Sequence, residues 1–413
     1  MCIRDRVWNI RWANLVGGCY MAHPMALFKA MAESDPYPVR ALFAIANNVL
    51  AAYANSKRAY EGMMKQDLIV AFEHAMSPTA QIADYVLPGD SWLERPSMQA
   101  GISEQAMQPP GECRNVVYFW HQLARRMGLE EHFPWATPEA LFDYRFEPGG
   151  KKWADVVTTG RPPNLHKGQA EHDGERKYLK TGFATPSGKV ELYSEVLKDL
   201  GFDPLPYYRE AMQTSEQYPL ASFVGWPEDE FFRSGHRQVP ELRKRAEDPI
   251  FYMCPKDTQA LDMAEGQWVR LETTTGKMFG RVFAHSSMPK GLVRIPHGWW
   301  KPESRQGGDH LSGVWSFSDG QLAADDDLEL VDAEQGVPHL KGCPCSVTKL
   351  TADEVRELEA EYGPTNDLPH GPEGKVLKSK ALPGEFDFME DEDIGEGIEF
   401  EAAQLSLYGR YSM

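Results

Sequence analysis

A carboxylate, a hydroxyl and a helix start fall within the seven residues 73–79, and such a set could hold a nucleotide. An uninterrupted apolar run, Leu68-Ile69-Val70-Ala71-Phe72, leads into Glu73-His74-Ala75-Met76-Ser77-Pro78-Thr79. A short run of that kind reads as a strand buried on both faces, as in a parallel sheet. Ser77 can cap a helix and Pro78 suits its first position, so the spacing predicts a helix over 79–85. In doubly wound sheets ligands lie beyond the carboxyl ends of strands, against helix N-termini that attract phosphate. One reading therefore puts a nucleotide-like ligand over Glu73 to Thr79; the other is an ordinary strand–turn–helix.

The elements that must position this stretch surround it. Residues 39–46, VRALFAIA, form an apolar strand that ends at Asn47-Asn48-Val49-Leu50. Residues 55–66 have a helical composition with a cap candidate at Asn55 or Ser56, which gives a β-α-β unit with a short crossover. No G-x-G-x-x-G follows a strand, and Ser187-Gly188-Lys189 lacks the upstream glycine of a phosphate-cradling loop. Residues 116–129 repeat apolar positions at helical spacing, whereas 147–177 are polar and read as a long surface connection. From Tyr218 the pattern changes to short strands and turns: a hairpin over 268–284 with its turn at Thr275-Gly276-Lys277, then a strand at 292–295. A short helix is expected over 353–362.

The chain has 413 residues, 42% hydrophobic and 25% charged, enough for two or three domains with sizeable cores. Its formal net charge of -18 argues against nucleic acid as a partner. The acid excess gathers in residues 351–413, which hold 16 acidic and 5 basic residues and read as a solvated or partner-facing tail. The six cysteines show no Cys-x-x-Cys and no zinc spacing; Cys343-Pro344-Cys345 is the one close pair and reads as two small buried residues. No apolar run is long enough to span a membrane. Residues 1–6, MCIRDR, look like a sequence-assembly scar, and no signal peptide can be read.

Residues 77–88, SPTAQIADYVLP, followed by Trp92-Leu93-Glu94-Arg95, resemble the catalytic subunits of the dimethyl sulfoxide reductase family. These enzymes carry molybdenum or tungsten on two pterin guanine dinucleotides. Residues 183–194, FATPSGKVELYS, resemble a second signature of that family. The pattern Pro255-x-Asp257, Ala260-Leu261, Gly266-x-x-Val269, Gly276 and Gly291-x-Val293 resembles its final domain, from about Pro219 to Leu350. His297-Gly298-Trp299-Trp300-Lys301-Pro302-Glu303 resembles the thiosulfate, polysulfide and arsenic-compound reductase branch.

The resemblance implies an α/β Rossmann-like domain with a parallel sheet, followed by a double-psi β-barrel. The boundaries it suggests are a Rossmann-like part over 1–110, a helical and loop segment over 111–213, a dinucleotide-binding barrel over 214–350 and an acidic tail over 351–413. It implies a molybdenum (or tungsten) bis-molybdopterin guanine dinucleotide cofactor. Asn48 stands at the family's asparagine near the dinucleotide, flanked by Asn47 and Val49 where glycine and proline are usual. Glu73 would accept from ribose hydroxyls, and Thr79 would bond a phosphate or a base edge. Arg237 would grip pyrophosphate with its two-pronged guanidinium and His236 would donate beside it. Trp226 would stack on a base. Gly298 would let backbone approach a flat pterin that His297 and Trp299 line. Ser318 and Gly320 stand where the family carries asparagines.

The implied function is two-electron chemistry on a sulfur- or arsenic-type oxyanion or a related small substrate, with no catalytic residue or metal ligand assigned in this chain. Family members are longer, so the expected partners are an N-terminal half of the same protein, bearing an iron–sulfur cluster and the metal ligand, and an iron–sulfur electron-transfer subunit. An export signal would lie in that half, leaving periplasm by twin-arginine export or cytoplasm open. The rivals are a non-redox hydratase or hydroxyl transferase on the same cofactor, and a non-catalytic binding module.

Overall fold

The structure is a computed structural model that describes residues 24–97 apart from 36, 103–159, 214–224, 230–302, 311–324 and 340–362. It adds residues 187–199 and 201–205 and a few single positions between them and their neighbours. Residues 24–86 and the described residues from 178 to 362 cluster into one compact unit; residues 87–159 form a second.

Within the first unit, β1 (Ala41–Ile45) and β2 (Leu68–Glu73) pair in parallel, with Ala41 beside Leu68 and Ile45 beside Phe72. The sheet order is β1-β2-β3, with β3 at Tyr85–Pro88. Two helices, Val49–Ala52 and Ser56–Met63, make the crossover. β2 is buried along both faces from Ile69 to Phe72, which is why its sequence is continuous rather than alternating. A Rossmann-like domain was expected; among the described residues the sheet has these three strands.

The helix expected over 79–85 is one turn, Pro78–Gln81, and the chain then turns into β3. Asp84 explains the difference. Its backbone N–H donates to the Ile69 carbonyl at 2.9 Å, and its carboxylate accepts from the Ile69 N–H at 2.7 Å. That pair ties residue 84 alongside β2, so the helix cannot continue. Asn55 occupies the cap position of the Ser56–Met63 helix but makes no side-chain cap bond, its backbone being left-handed at φ +50°.

The remainder of this unit is a closed six-stranded barrel in the order β4-β8-β5-β7-β6-β9. Its strands are β4 (Leu220–Val224), β5 (Ile250–Met253), β6 (Trp268–Glu272), β7 (Lys277–Ala284), β8 (Leu292–Ile295) and β9 (Lys341–Lys349). The expected hairpin is present, with Glu272 opposite Lys277. Barrel strands alternate: on β7, Met278, Gly280 and Val282 point in. Gly280 must lack a side chain, since a Cβ there would lie 2.6 Å from the Phe251 ring. Phe251, Met253, Val269, Leu271, Met278 and Val293 are fully buried, each contributing about 1.5–3 kcal/mol.

The Ala352–Tyr362 helix begins with a capping box, the Glu354 N–H donating to Thr351 Oγ1 and the Thr351 N–H to Glu354 Oε2. Its Leu358 and Tyr362 join the barrel core.

The second unit has helices Val116–Arg126, Pro138–Phe146 and Trp153–Thr159, and its core is Phe142, Phe146, Trp153 and Val156. Among the described residues no helix is long and apolar enough to cross a membrane.

Candidate functional site

At the carboxyl ends of β1 and β2 the predicted residues meet. Asn48 is almost fully buried. Its Oδ1 accepts from the Thr79 hydroxyl at 3.0 Å, and that hydroxyl in turn accepts from the Leu50 N–H at 3.1 Å. The carboxamide is thereby fixed, and its Nδ2 is left buried without a partner. Glu73 lies beside it, its carboxylate accepting from the backbone N–H groups of His74 and Asn47. Glu73 Oε1 is buried and unpaired. Burial outweighs those two bonds and pushes the Glu73 carboxyl up to about 7. Thr79 is fully buried and spent on this support, so it offers nothing to a ligand directly. The helix start is spent too: Ser77 Oγ accepts from the Ala80 N–H, and a single turn has little dipole for a phosphate.

The barrel side is built around Arg237. It was read as a pyrophosphate grip, but the side chain is fully buried. Its Nε donates to the Gly298 carbonyl and its Nη2 to the His297 carbonyl, both at 3.2 Å. The guanidinium lies 4.0 Å from the Trp299 ring centroid and 4.4 Å from that of Phe231. Arg237 therefore shapes the 297–298 turn from within. Trp299, expected to line a pterin, is fully buried against Phe231 in the barrel core, so its ring supports Arg237. Gly298 has φ +68°, and a Cβ there would lie 3.1 Å from the Ser234 backbone nitrogen; the close approach it permits is of the neighbouring loop. Trp300 Nε1 donates to the Ser234 carbonyl, and Lys301 is buried on Asp248 at 2.7 Å, fastening the rest of this segment.

His297 is held differently. Its Nδ1 is 2.8 Å from Asp319 Oδ2, while Asp319 Oδ1 accepts from the Gly298 N–H at 2.7 Å. Burial disfavours its cation, but the charge and hydrogen bond of Asp319 prevail over burial and over Arg233 and Arg237, so His297 is more basic than an ordinary imidazole. His236 has φ +70°; desolvation by the surrounding protein, and then the charge of His74, make it less basic than usual. Asp319 was not singled out from the sequence. A Ser-Asp-Gly turn carries no signal beyond its capping pattern.

These two sets lie in one unit and are stitched together. The Ser318 hydroxyl donates to the Ala51 carbonyl at 3.2 Å, the Asn55 N–H to the Ala323 carbonyl at 3.0 Å, and Gln81 Nε2 to Ser312 Oγ at 2.6 Å. Gly320 packs so tightly that a Cβ would lie 2.5 Å from the Tyr53 carbonyl oxygen. Ser318 is thus a joint between sheet and barrel, and fully buried. His74 follows Glu73 and is near enough to His236 to oppose its protonation, which brings the β2 end and the barrel loop to the same side. Trp226 lies outside the described residues. Cys343 and Cys345 are buried, their thiols pushed up by burial to about 11 and about 12, and among the described residues no cluster could hold a metal.

Two family models match the chain: "Molybdopterin oxidoreductase" over residues 11–126 and "Molydopterin dinucleotide binding domain" over residues 222–318. The chain belongs to the molybdopterin oxidoreductase family. Acetylene hydratase of Syntrophotalea acetylenica is 42% identical over 354 residues, which is 82% of this chain and 47% of that protein. The thiosulfate reductase molybdopterin-containing subunit of Salmonella typhimurium is 25% identical over 278 residues, 60% of this chain and 36% of that protein. The solved acetylene hydratase from Pelobacter acetylenicus superposes with a TM-score of 0.73 over 81% of this chain and 47% of its own. The chain spans about half the length of the acetylene hydratases it matches. The two domain matches indicate a molybdenum bis-pterin guanine dinucleotide, and the residues fit it. A buried unpaired donor, Asn48 Nδ2, and a buried unpaired acceptor, Glu73 Oε1, await a ligand that offers the opposite groups.

Proposed function

We propose that this chain is the cofactor-gripping part of a molybdenum (or tungsten) bis-pterin guanine dinucleotide enzyme, its barrel of the double-psi kind. The observation that carries the reading is the unfilled pair, Asn48 Nδ2 and Glu73 Oε1, at the β1 and β2 ends on the side where His236 stands. Natural proteins rarely bury such atoms unpaired, so a ligand that completes them is the economical account. When bound, the cofactor supplies two-electron or Lewis-acid chemistry at its metal. This chain's residues bind and orient: Asn48 donates, Glu73 accepts, His297 and His236 offer imidazole donors, and Arg237 keeps the 297–298 turn in shape.

For the whole protein we propose a sulfur- or arsenic-type oxyanion, or a related small substrate, reduced at the metal. An N-terminal half would bring the iron–sulfur cluster and cover Leu179, Leu192 and Tyr207, which stand exposed. An iron–sulfur subunit would deliver electrons. A second reading is hydration without net electron transfer, and the 42% identity to an acetylene hydratase favours it. Purified full-length protein decides between them. Metal and pterin content tests the shared part, and a product free of both would refute it. Dye-linked reduction of thiosulfate or an arsenic oxyanion supports the first reading. Conversion of acetylene to acetaldehyde without an electron donor supports the second.

A further inference from the structure

Asp319 has a buried carboxylate, its side chain 1% exposed, with both oxygens spent on one neighbouring segment. Oδ2 meets His297 Nδ1 at 2.8 Å, and Oδ1 takes the Gly298 N–H at 2.7 Å. The residues on either side of it are the joint to the α/β sheet: Ser318 bonds the Ala51 carbonyl, and Gly320 lies against the Tyr53 carbonyl. Asp319 therefore cannot move independently of the crevice, and neither can the ring it holds. His297 Nε2 has no hydrogen-bond partner among the described residues.

We propose that Asp319 is a positioning residue for the pterin dinucleotide: it fixes the His297 ring in one orientation with both nitrogens protonated, so that Nε2–H donates to an oxygen of the cofactor. This rests on the pterin-binding reading above. The charged groups that face His297 are Asp319, Arg233 and Arg237. The two arginines oppose a third cation, and burial opposes it further, yet Asp319 leaves His297 more basic than an ordinary imidazole. The pterin dinucleotides are anionic through their phosphates, so a cation kept at this turn attracts them, and a neutral ring does so less.

The test uses full-length holoprotein with Asp319→Asn, His297→Gln and the double variant. Each is gel-filtered between about pH 5.5 and 9, ranges set around the ordinary imidazole value. Retained metal is measured by mass spectrometry, and pterin by fluorescence after oxidation. Asp319→Asn keeps an acceptor for Gly298 but removes the charge. We expect it to release cofactor about tenfold faster than wild type around neutral pH, the scale of one charge-assisted hydrogen bond. The gap should narrow as pH falls, because acid protonates His297 in the variant as well. The double variant should release no faster than His297→Gln alone. Equal release by Asp319→Asn and wild type at every pH, or fully additive losses in the double variant, would overturn the proposal. Should Asp319→Asn fail to fold by circular dichroism, His297→Gln decides: faster release with a flattened pH profile supports the proposal, and an unchanged profile overturns it. A wild-type protein with no pterin at all would instead remove the binding reading itself.

Discussion

The α/β edge and the barrel turn solve the same problem in opposite ways. At the α/β edge, Thr79 and the backbone satisfy the inner halves of Asn48 and Glu73 and leave the outer halves, Nδ2 and Oε1, unpaired in a buried position. At the barrel turn, Arg237 and Asp319 consume their charge on the carbonyls and N–H of residues 297 and 298. One region leaves a buried donor and a buried acceptor side by side for a ligand; the other spends its charged groups on its own turn and holds that turn in shape, with Trp299 Nε1 buried without a partner. The contrast assigns recognition to the sheet end and rigidity to the barrel, with His297 Nε2 as the barrel's outward group.

The severest test of that division is Arg237→Ala. It would strand the buried Gly298 carbonyl and the half-buried His297 carbonyl and open a cavity between Trp299 and Phe231, costing roughly 3–5 kcal/mol. Thermal unfolding should show a large loss whether or not cofactor is present. A loss seen only with cofactor would mean that Arg237 is a ligand after all. Thr79→Val comes next. It unpairs Asn48 Oδ1 and the Leu50 N–H at about 1–3 kcal/mol and lets the carboxamide rotate. Pterin content should fall well below that of wild type, while the barrel's hydrogen exchange is unchanged. Gly320→Ala presses a methyl on the Tyr53 carbonyl at the seam, a strain of about 1–3 kcal/mol. Proteolysis within 318–324 should accelerate; unaltered cleavage would place the seam elsewhere.

The smallest effect is Glu73→Gln, and its sign depends on pH. Burial raises the folded Glu73 carboxyl to about 7, from an ordinary carboxylate value of 4.5. Its charge therefore costs stability as pH climbs through that interval, and the cost is complete above it. In cofactor-free protein the glutamine should raise Tm by a few degrees or so at pH 8 and leave it unchanged near pH 4. In holoprotein it should weaken pterin retention, because the one oxygen left is held by the His74 and Asn47 N–H groups and an NH2 donor replaces the outward acceptor. A variant that leaves both unaltered would remove Glu73 from the site.

Much of this was legible in the residues, and the failures have causes. β2 could be read because a strand buried on both faces has no alternation to confuse it, and β6–β7 because Gly276 marks the turn. Ser77-Pro78 marked a helix start correctly, but nothing local said that Asp84 would pair with Ile69 and end it. The stretch 77–88 showed where a ligand loop lies. It did not show that Thr79 faces inward to Asn48, because that bond joins residues 31 apart. Arg237 read as a ligand because arginine suits pyrophosphate; only the folded barrel shows it enclosed by Trp299 and Phe231. Asp319 was invisible because its partners, His297 and Gly298, lie on another loop.

The account stands or falls on whether one ligand bridges the two regions. Amide hydrogen exchange of full-length protein, compared between holoprotein and protein stripped of cofactor, measures this directly. The account predicts that cofactor slows exchange together at residues 46–49 and 73–77 of the sheet end and at 234–237 and 297–299 of the barrel. Protection confined to one of those sets, with the other unchanged, would contradict it.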